Sequence, residues 1–152
     1  MDKTTLVWKI KSFEQLSTTE LYELLRVRTD VFVVEQQCPY PECDGYDSEA
    51  WHLWAEKDKK PVAYCRIFAP GIKYFEASIG RVLSQSEYRK YGLGKALISL
   101  ALQVIETRFQ TSSVRISAQD YLLDFYRSLG FHPTGHHYLE DGIPHTEMLR
   151  KF

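Results

Sequence analysis

The sequence predicts a mixed α/β domain. Three observations predict it. Short segments alternate apolar and polar residues at the period of a strand, longer stretches repeat apolar residues at helical spacing, and the two kinds of segment are interleaved along the chain. Leu6, Trp8 and Ile10 alternate with Val7, Lys9 and Lys11, which predicts a first strand. Ser17–Glu20, "STTE", is a capping box ahead of Leu21, Leu24, Leu25, Val31 and Phe32, an amphipathic helical pattern. "CPYPECDGYD" at 38–47 interrupts it with two prolines and a glycine. "HLWAEK" (52–57) and "VAYCRIF" (62–68) read as strands paired around "DKKP", and "ASIGRVL" (77–83) as another strand. Leu97, Ile98, Ala101, Leu102 and Ile105 then follow helical spacing to about Phe109. "VRISA" (114–118) is a short strand. "DYLLDFYRSLG" (120–130) is a short helix with Asp120 as candidate N-cap and Gly130 past its end. Two strand-like pieces flank Asp141-Gly142, a hairpin signal.

The 152 residues fit one domain, 1–152, large enough to bury a core. A formal net charge of −1 argues against a general nucleic-acid binder. The aromatic residues are not interleaved with a basic stripe, so core packing explains them better than base stacking. "MDKTTLVWKIKSF" has no signal-peptide apolar region, and no apolar run approaches the ~18 residues of a membrane span. Cys38, Cys43 and Cys65 have no framework spacing and read as reduced thiols. A cytoplasmic protein with no membrane and no nucleic-acid partner is expected. A homodimer through an edge strand is compatible with the sequence.

"VLSQSEYRKYGLGKAL" (82–97) puts Gly92, Gly94, Arg89, Lys90 and Lys95 just ahead of a helix. The first N–H groups of a helix lack intrahelical partners, and the dipole places partial positive charge there. Glycines let a ligand approach the main chain, and the basic side chains add full charges, so the stretch is a candidate phosphate or pyrophosphate cradle. A glycine-eased turn with solvated cations is the alternative. Two familiar phosphate motifs fail here. A P-loop needs glycine where Arg89 stands and Ser or Thr where Ala96 stands; the dinucleotide fingerprint needs Gly or Ala where Leu97 stands.

"RKYGLG" (Arg89–Gly94) matches the R/Q-x-x-G-x-G/A signature of the Gcn5-related N-acetyltransferases (GNAT), after a strand and opening a helix. "DFYRSLGF" (124–131) resembles the family's second landmark, a tyrosine followed by Leu-Gly-Phe. "VFVVEQQCPY" (31–40), "DGYD" (44–47) and "EDGIPH" (140–145) resemble the ElaA-like branch. The resemblance spans nearly the whole chain. It implies a single-domain GNAT fold: a mixed central sheet, helices on both faces, and splayed strands forming an acetyl-CoA cleft. By the same resemblance the pyrophosphate lies against Arg89, Lys90, Tyr91, Gly92, Leu93, Gly94 and Lys95. The pantetheine arm runs along Val82, Leu83 and Ser84, and the Val82 N–H is a candidate oxyanion donor. Tyr126 occupies the family's general-acid position and borders the acetyl-CoA site.

The expected reaction moves an acetyl group from acetyl-CoA to a primary amine of a small molecule or peptide. An amine is mostly protonated at neutral pH, so a base must act. Tyr126, with an ordinary pKa near ~10, stays protonated and can donate to a leaving thiolate. For the base or acceptor contacts the candidates are His52, His145 and Asp44, with Glu35, Glu42 and Asp47 beside them. The loop carboxylates suggest an acidic acceptor pocket that attracts a cationic amine. No metal is expected: adjacent His136 and His137 point to opposite faces of a strand, and no C-x-x-C or H-x-x-x-H spacing occurs. Two other readings stand beside this one. Arg28, Phe32, Glu42, Asp44, Asp47 and Arg66 fall in an order similar to the acyl-homoserine-lactone synthases. A non-catalytic module binding CoA thioesters would carry the same cradle.

Overall fold

The computed structural model describes residues 5–152. Its strands are β1 (Val7–Ser12), β2 (Trp51–Lys57), β3 (Lys60–Phe68), β4 (Ala77–Ser84), β5 (Ser113–Gln119), β6 (His132–Glu140) and β7 (Ile143–Lys151). The helices are α1 (Thr18–Thr29), α2 (Leu93–Phe109) and α3 (Leu123–Ser128). The strands form one mixed sheet in the order β1-β2-β3-β4-β5-β7-β6. Only β4 and β5 pair in parallel; every other neighbouring pair is antiparallel.

Alternation along the strands sorts the core onto two faces. Trp54, Tyr64 and Leu83 meet Leu24 and Val27 of α1, with Val31 and Phe32 beyond it. Leu53, Ala55, Ala63, Cys65, Ile67 and Ile79 face the other way and pack with Leu97, Ile98, Ala101 and Ile105 of α2, Tyr126 of α3, and Phe131. Helices therefore cover both faces, as the fold class predicted.

Local chemistry accounts for most element ends. Ser17 accepts from the Glu20 N–H at 3.0 Å, and Glu20 accepts from the Ser17 N–H at 2.9 Å, closing the capping box at the start of α1. The hairpin loop Asp141-Gly142 has φ of +51° and +77°, the left-handed pair of a tight two-residue turn. Asp58-Lys59 makes the other such turn, at +50° and +63°. Gly130, at φ +92°, ends α3 with its N–H on the Arg127 carbonyl.

Three boundaries differ from expectation. Beyond α1, Asp30–Glu35 continues as a wider π-type segment, with N–H groups of Gln36 and Cys38 reaching back to Val31 and Val33. α2 begins at Leu93, ahead of its apolar repeat, because the turn at Gly92 rather than the repeat sets its start. Asp120 does not cap the third helix. It lies inside a 3-10 turn (Asp120–Leu122), and its carboxylate accepts from Thr146 Oγ1 at 2.6 Å, which ties this turn to β7.

Glu20 also joins β1 to α1 through Lys11 at 2.9 Å and Lys9 at 3.5 Å. Burial opposes its charge, but the Ser17 N–H and the two lysines outweigh burial and lower its pKa from 4.5 to about 2. A lowered carboxylate pKa contributes stability that is complete above the unfolded value and disappears as pH falls through the folded one. Glu20→Gln is therefore expected to lower unfolding free energy by about 1 kcal/mol at neutral pH. In urea titrations the difference from the parent should shrink between pH 4.5 and about 2.

Candidate active site

Two strands that start together and then separate define the cleft. β4 and β5 pair at Ala77↔Val114 and Ser78↔Arg115 and nowhere beyond. From Ile79 to Ser84, the β4 edge facing β5 therefore has no strand partner. On its other side β4 is bulged: Tyr64 faces Leu83 and Arg66 faces Gly80, so Arg81 and Val82 together oppose Cys65. Arg81 takes the extra turn at φ +50°. The bulge bends β4 and leaves Val82 at the open edge of the wedge. The Leu83 side chain is buried against Trp54 and Tyr64, so toward the cleft it offers its main chain.

At the carboxyl end of β4, Gln85 leads into a 3-10 segment (Ser86–Tyr91), and Gly92 starts α2. Gly92 has φ +71° with no atom within 4 Å of an added Cβ, so the turn needs glycine and the space beside it is open. No side chain caps α2; the Gly92 carbonyl accepts from the Ala96 N–H at 3.3 Å, which leaves the N–H groups of Leu93, Gly94 and Lys95 facing outward from the first turn. At Gly94 a Cβ would just reach the Phe125 ring of α3, at 3.4 Å. Leu93 is a core residue, Tyr91 packs against the same core, and the Lys90 ammonium lies 5.5 Å over the Tyr91 ring. Arg89 is not a free cation here: its Nε donates to the Ser84 carbonyl at 3.0 Å and its Nη2 to Glu35 at 2.5 Å.

Tyr126, on α3, belongs to the core that holds Cys65 and against which Val82 packs. Its ring is buried, edge-on to Phe125 at 5.1 Å and to Phe131 at 5.8 Å. Burial raises its pKa, and neighbouring Cys65, the residue opposite the bulge, adds to the rise. The phenol is thus held protonated on the side of the sheet where Cys65 lies.

On the α1 face, a network of arginines and carboxylates lies under the loop 38–47. Arg28, fully buried, donates to Glu42 at 2.7 Å and Asp47 at 2.8 Å. Arg66 binds Asp47 at 3.1 Å and Asp44 through a short bond. Arg81 reaches from the bulge to Glu42 at 2.9 Å and Asp44 at 3.4 Å. Tyr40 donates to Glu42 at 2.6 Å. Sequence reasoning saw the carboxylates but not that three arginines, two of them interior, would meet them. The expected acidic pocket is therefore corrected: each loop carboxylate is already neutralised.

The candidate bases separate on this geometry. Burial would raise the pKa of Asp44, but hydrogen bonds from Arg66 and the Tyr46 N–H outweigh it and hold the carboxyl well below the usual range. Such a group is a poor proton acceptor. His52 is buried, and both ring nitrogens are used: Nε2 donates to the Asp47 carbonyl at 3.0 Å, so Nδ1 accepts from Tyr64 Oη at 2.7 Å. Burial lowers its pKa and keeps it neutral. Its role is to brace the network. His145 differs. Its Nδ1–H donates to the Ile143 carbonyl at 2.7 Å, while Nε2 lies 3.2 Å from the half-exposed Glu140 carboxylate. Of the two buried histidines it is the one whose second nitrogen faces a carboxylate side chain rather than a hydroxyl of the core. Among the described residues, no group of three or more His, Cys, Asp or Glu is placed to hold a metal ion, and no helix is long and apolar enough to cross a membrane.

Residues 19–152 match the family model described as an acetyltransferase (GNAT) domain. The chain is 38% identical over 146 residues to protein ElaA of Escherichia coli, covering 95% of each. The crystal structure of that protein superposes with a TM-score of 0.89, covering 96% of this chain and 99% of that one. An acyl-CoA N-acyltransferase from Pseudomonas aeruginosa, 43% identical, superposes at 0.87, covering 95% of this chain and 99% of that one. A CoA-dependent acyl-homoserine lactone synthase superposes at 0.78 with 18% identity, covering 96% of this chain and 83% of that one, a likeness of fold alone.

Proposed function

The chain belongs to the GNAT family, in its ElaA-like branch, and from that membership we propose that it moves an acetyl group from acetyl-CoA to a primary amine. The observation that carries the reading is the wedge between β4 and β5, with the uncapped start of α2 at its end. The unpaired β4 edge can take strand-like hydrogen bonds from an extended amide-bearing arm, and the outward N–H groups of residues 93–95 suit a diphosphate. Lys90 and Lys95 add charge nearby. Arg89 joins them by exchanging Glu35 for phosphate, since that ion pair is exposed and therefore weak.

Within the wedge, the Val82 N–H, at the bulge, serves the developing oxyanion. His145, through Nε2, takes the amine proton as the nitrogen attacks the thioester carbon. The C–N bond forms, the C–S bond breaks, and Tyr126 gives its proton to the departing sulfur. Supporting the last role is a phenol kept protonated by burial beside Cys65, opposite the bulge.

Calorimetric titration with acetyl-CoA tests the cradle. One molecule is expected to bind per chain. Gly92→Ala forces a side chain into left-handed backbone at a cost of about 1–2 kcal/mol, so affinity should drop by roughly tenfold. The absence of any acetyl-CoA binding by the parent would overturn the reading.

A further inference from the structure

We propose that the acceptor carries a carboxylate near its amine, held between Arg66 Nε and the Lys73 ammonium. The proposal rests on the acyl-transfer reading for the amine. It rests on separate observations for the carboxylate.

The first observation is an orphan. Arg66 is 2% exposed, and four of its five N–H bonds lie on nitrogens that bind Asp44 and Asp47. Its Nε is buried with no hydrogen-bond partner, and it is the sole such side-chain atom among the described residues. Buried donors are almost always paired, and a charged one left alone is costly. This Nε lies beside Gly80, 3.9 Å from where a Cβ would stand. Gly80 has no left-handed backbone to explain it. What its missing side chain does is keep space open next to an unpaired donor, at the residue that precedes the Arg81–Val82 bulge. An acceptor group reaching the wedge from the α1 face therefore meets Arg66 Nε.

The second observation is unbalanced charge. Asp44, Asp47 and Glu42 are shared among Arg28, Arg66 and Arg81. Lys73, on the loop between β3 and β4, has no carboxylate partner among the described residues. Its ammonium lies instead over Tyr46 at 4.0 Å and Phe68 at 5.9 Å, while the Arg66 guanidinium lies 5.1 Å over the same Phe68. Burial lowers the Lys73 pKa, and Arg66 and Arg81 lower it further against the opposing Asp44 and Glu140. Glu140 itself faces His145. An incoming carboxylate relieves this excess: one oxygen accepts from Arg66 Nε, and the Lys73 ammonium supplies the counter-charge. Glu140, which acts on Lys73 and also faces His145, links this pair to the candidate base. The substrate class is an α-amino acid or a short peptide-like amino acid, not a polyamine.

The test uses product-like ligands, so that it does not depend on turnover. N-acetylglycine and N-acetylglycinamide are titrated calorimetrically into the free protein and into the CoA-loaded protein. N-acetylglycine is expected to bind at least about tenfold more tightly than the amide, since a charge-assisted hydrogen bond separates them. Lys73→Met removes an exposed side chain with no ion pair to lose. It should erase that preference while leaving CoA affinity unchanged. Gly80→Ala, which fills the space beside Nε, should weaken N-acetylglycine in the same way. Equal binding of the two ligands, binding of neither, or a preference that survives Lys73→Met overturns the proposal. Failure of the acyl-transfer reading registers separately, as protein that does not bind CoA.

Discussion

Arg28→Met is expected to lower unfolding free energy by about 3–5 kcal/mol, which for a domain of ordinary stability is a large share of the total. Arg28 is fully buried on α1 and donates to Glu42, to Asp47 and to the Glu42 carbonyl, with its guanidinium 5.6 Å over the Tyr64 ring. Methionine fills much of the same volume, so the loss is not a cavity effect. It comes from leaving two carboxylates in the interior with one arginine fewer. Arg66 and Arg81 still touch Asp47 and Glu42, but Arg66 is already committed to Asp44. Denaturant unfolding at neutral pH checks the magnitude.

The pH dependence of that loss follows from the same contacts. Burial alone would raise the pKa of Asp47, yet Arg28 and then Arg66 lower it below its ordinary 3.8, and Asp44 is lowered as well. Depressed carboxylates stabilise the fold above their unfolded pKa and cease to do so as pH falls through the folded value. The part of the parent's stability held by Asp44 and Asp47 should therefore be lost only below about pH 4. In Arg28→Met the Asp47 carboxyl loses its main donor and takes up a proton at higher pH. The gap between parent and variant should accordingly narrow in acid, because protonation removes the uncompensated charge.

This network also marks where sequence reasoning stopped. Cues that act within a few residues were legible: the Ser17–Glu20 capping box, the left-handed Gly130 and the Asp141-Gly142 turn all appear as read. The bulge was not, because it is a mismatch between β3 and β4, and alternation along one strand carries no information about its neighbour's register. Nor was the burial of Arg28 and Arg66. A charged residue within a helix or strand pattern ordinarily reads as a solvent-facing position, and only long-range pairing with the 38–47 loop makes the interior tolerable. Asp120 misled for a related reason: its short side chain suits a helix cap, but a hydroxyl on distant Thr146 competes for it. His52 looked as free as His145 until Tyr64 and the Asp47 carbonyl were seen on its two nitrogens.

Tyr126→Phe is expected to reduce acetyl transfer by about a hundredfold or more in kcat, roughly 2.7 kcal/mol of barrier, while acetyl-CoA affinity changes little. The ring makes the contacts with Phe125 and Phe131, so phenylalanine keeps the packing that joins α3 to the sheet. The cradle at residues 92–95 lies on a different element and should bind as before. Only the proton is removed. Because burial raises the pKa of this phenol, the parent should keep its acid through the alkaline range where an ordinary tyrosine begins to ionise. The basic limb of the parent's rate profile should therefore not fall near pH 10. Steady-state kinetics across pH, with calorimetry on both proteins, supply the measurement. An unchanged kcat takes Tyr126 out of the proton path and leaves water to protonate the thiolate. A parent that binds acetyl-CoA yet acetylates no amine, amino acids included, points instead to a CoA-thioester sensor built on the same wedge.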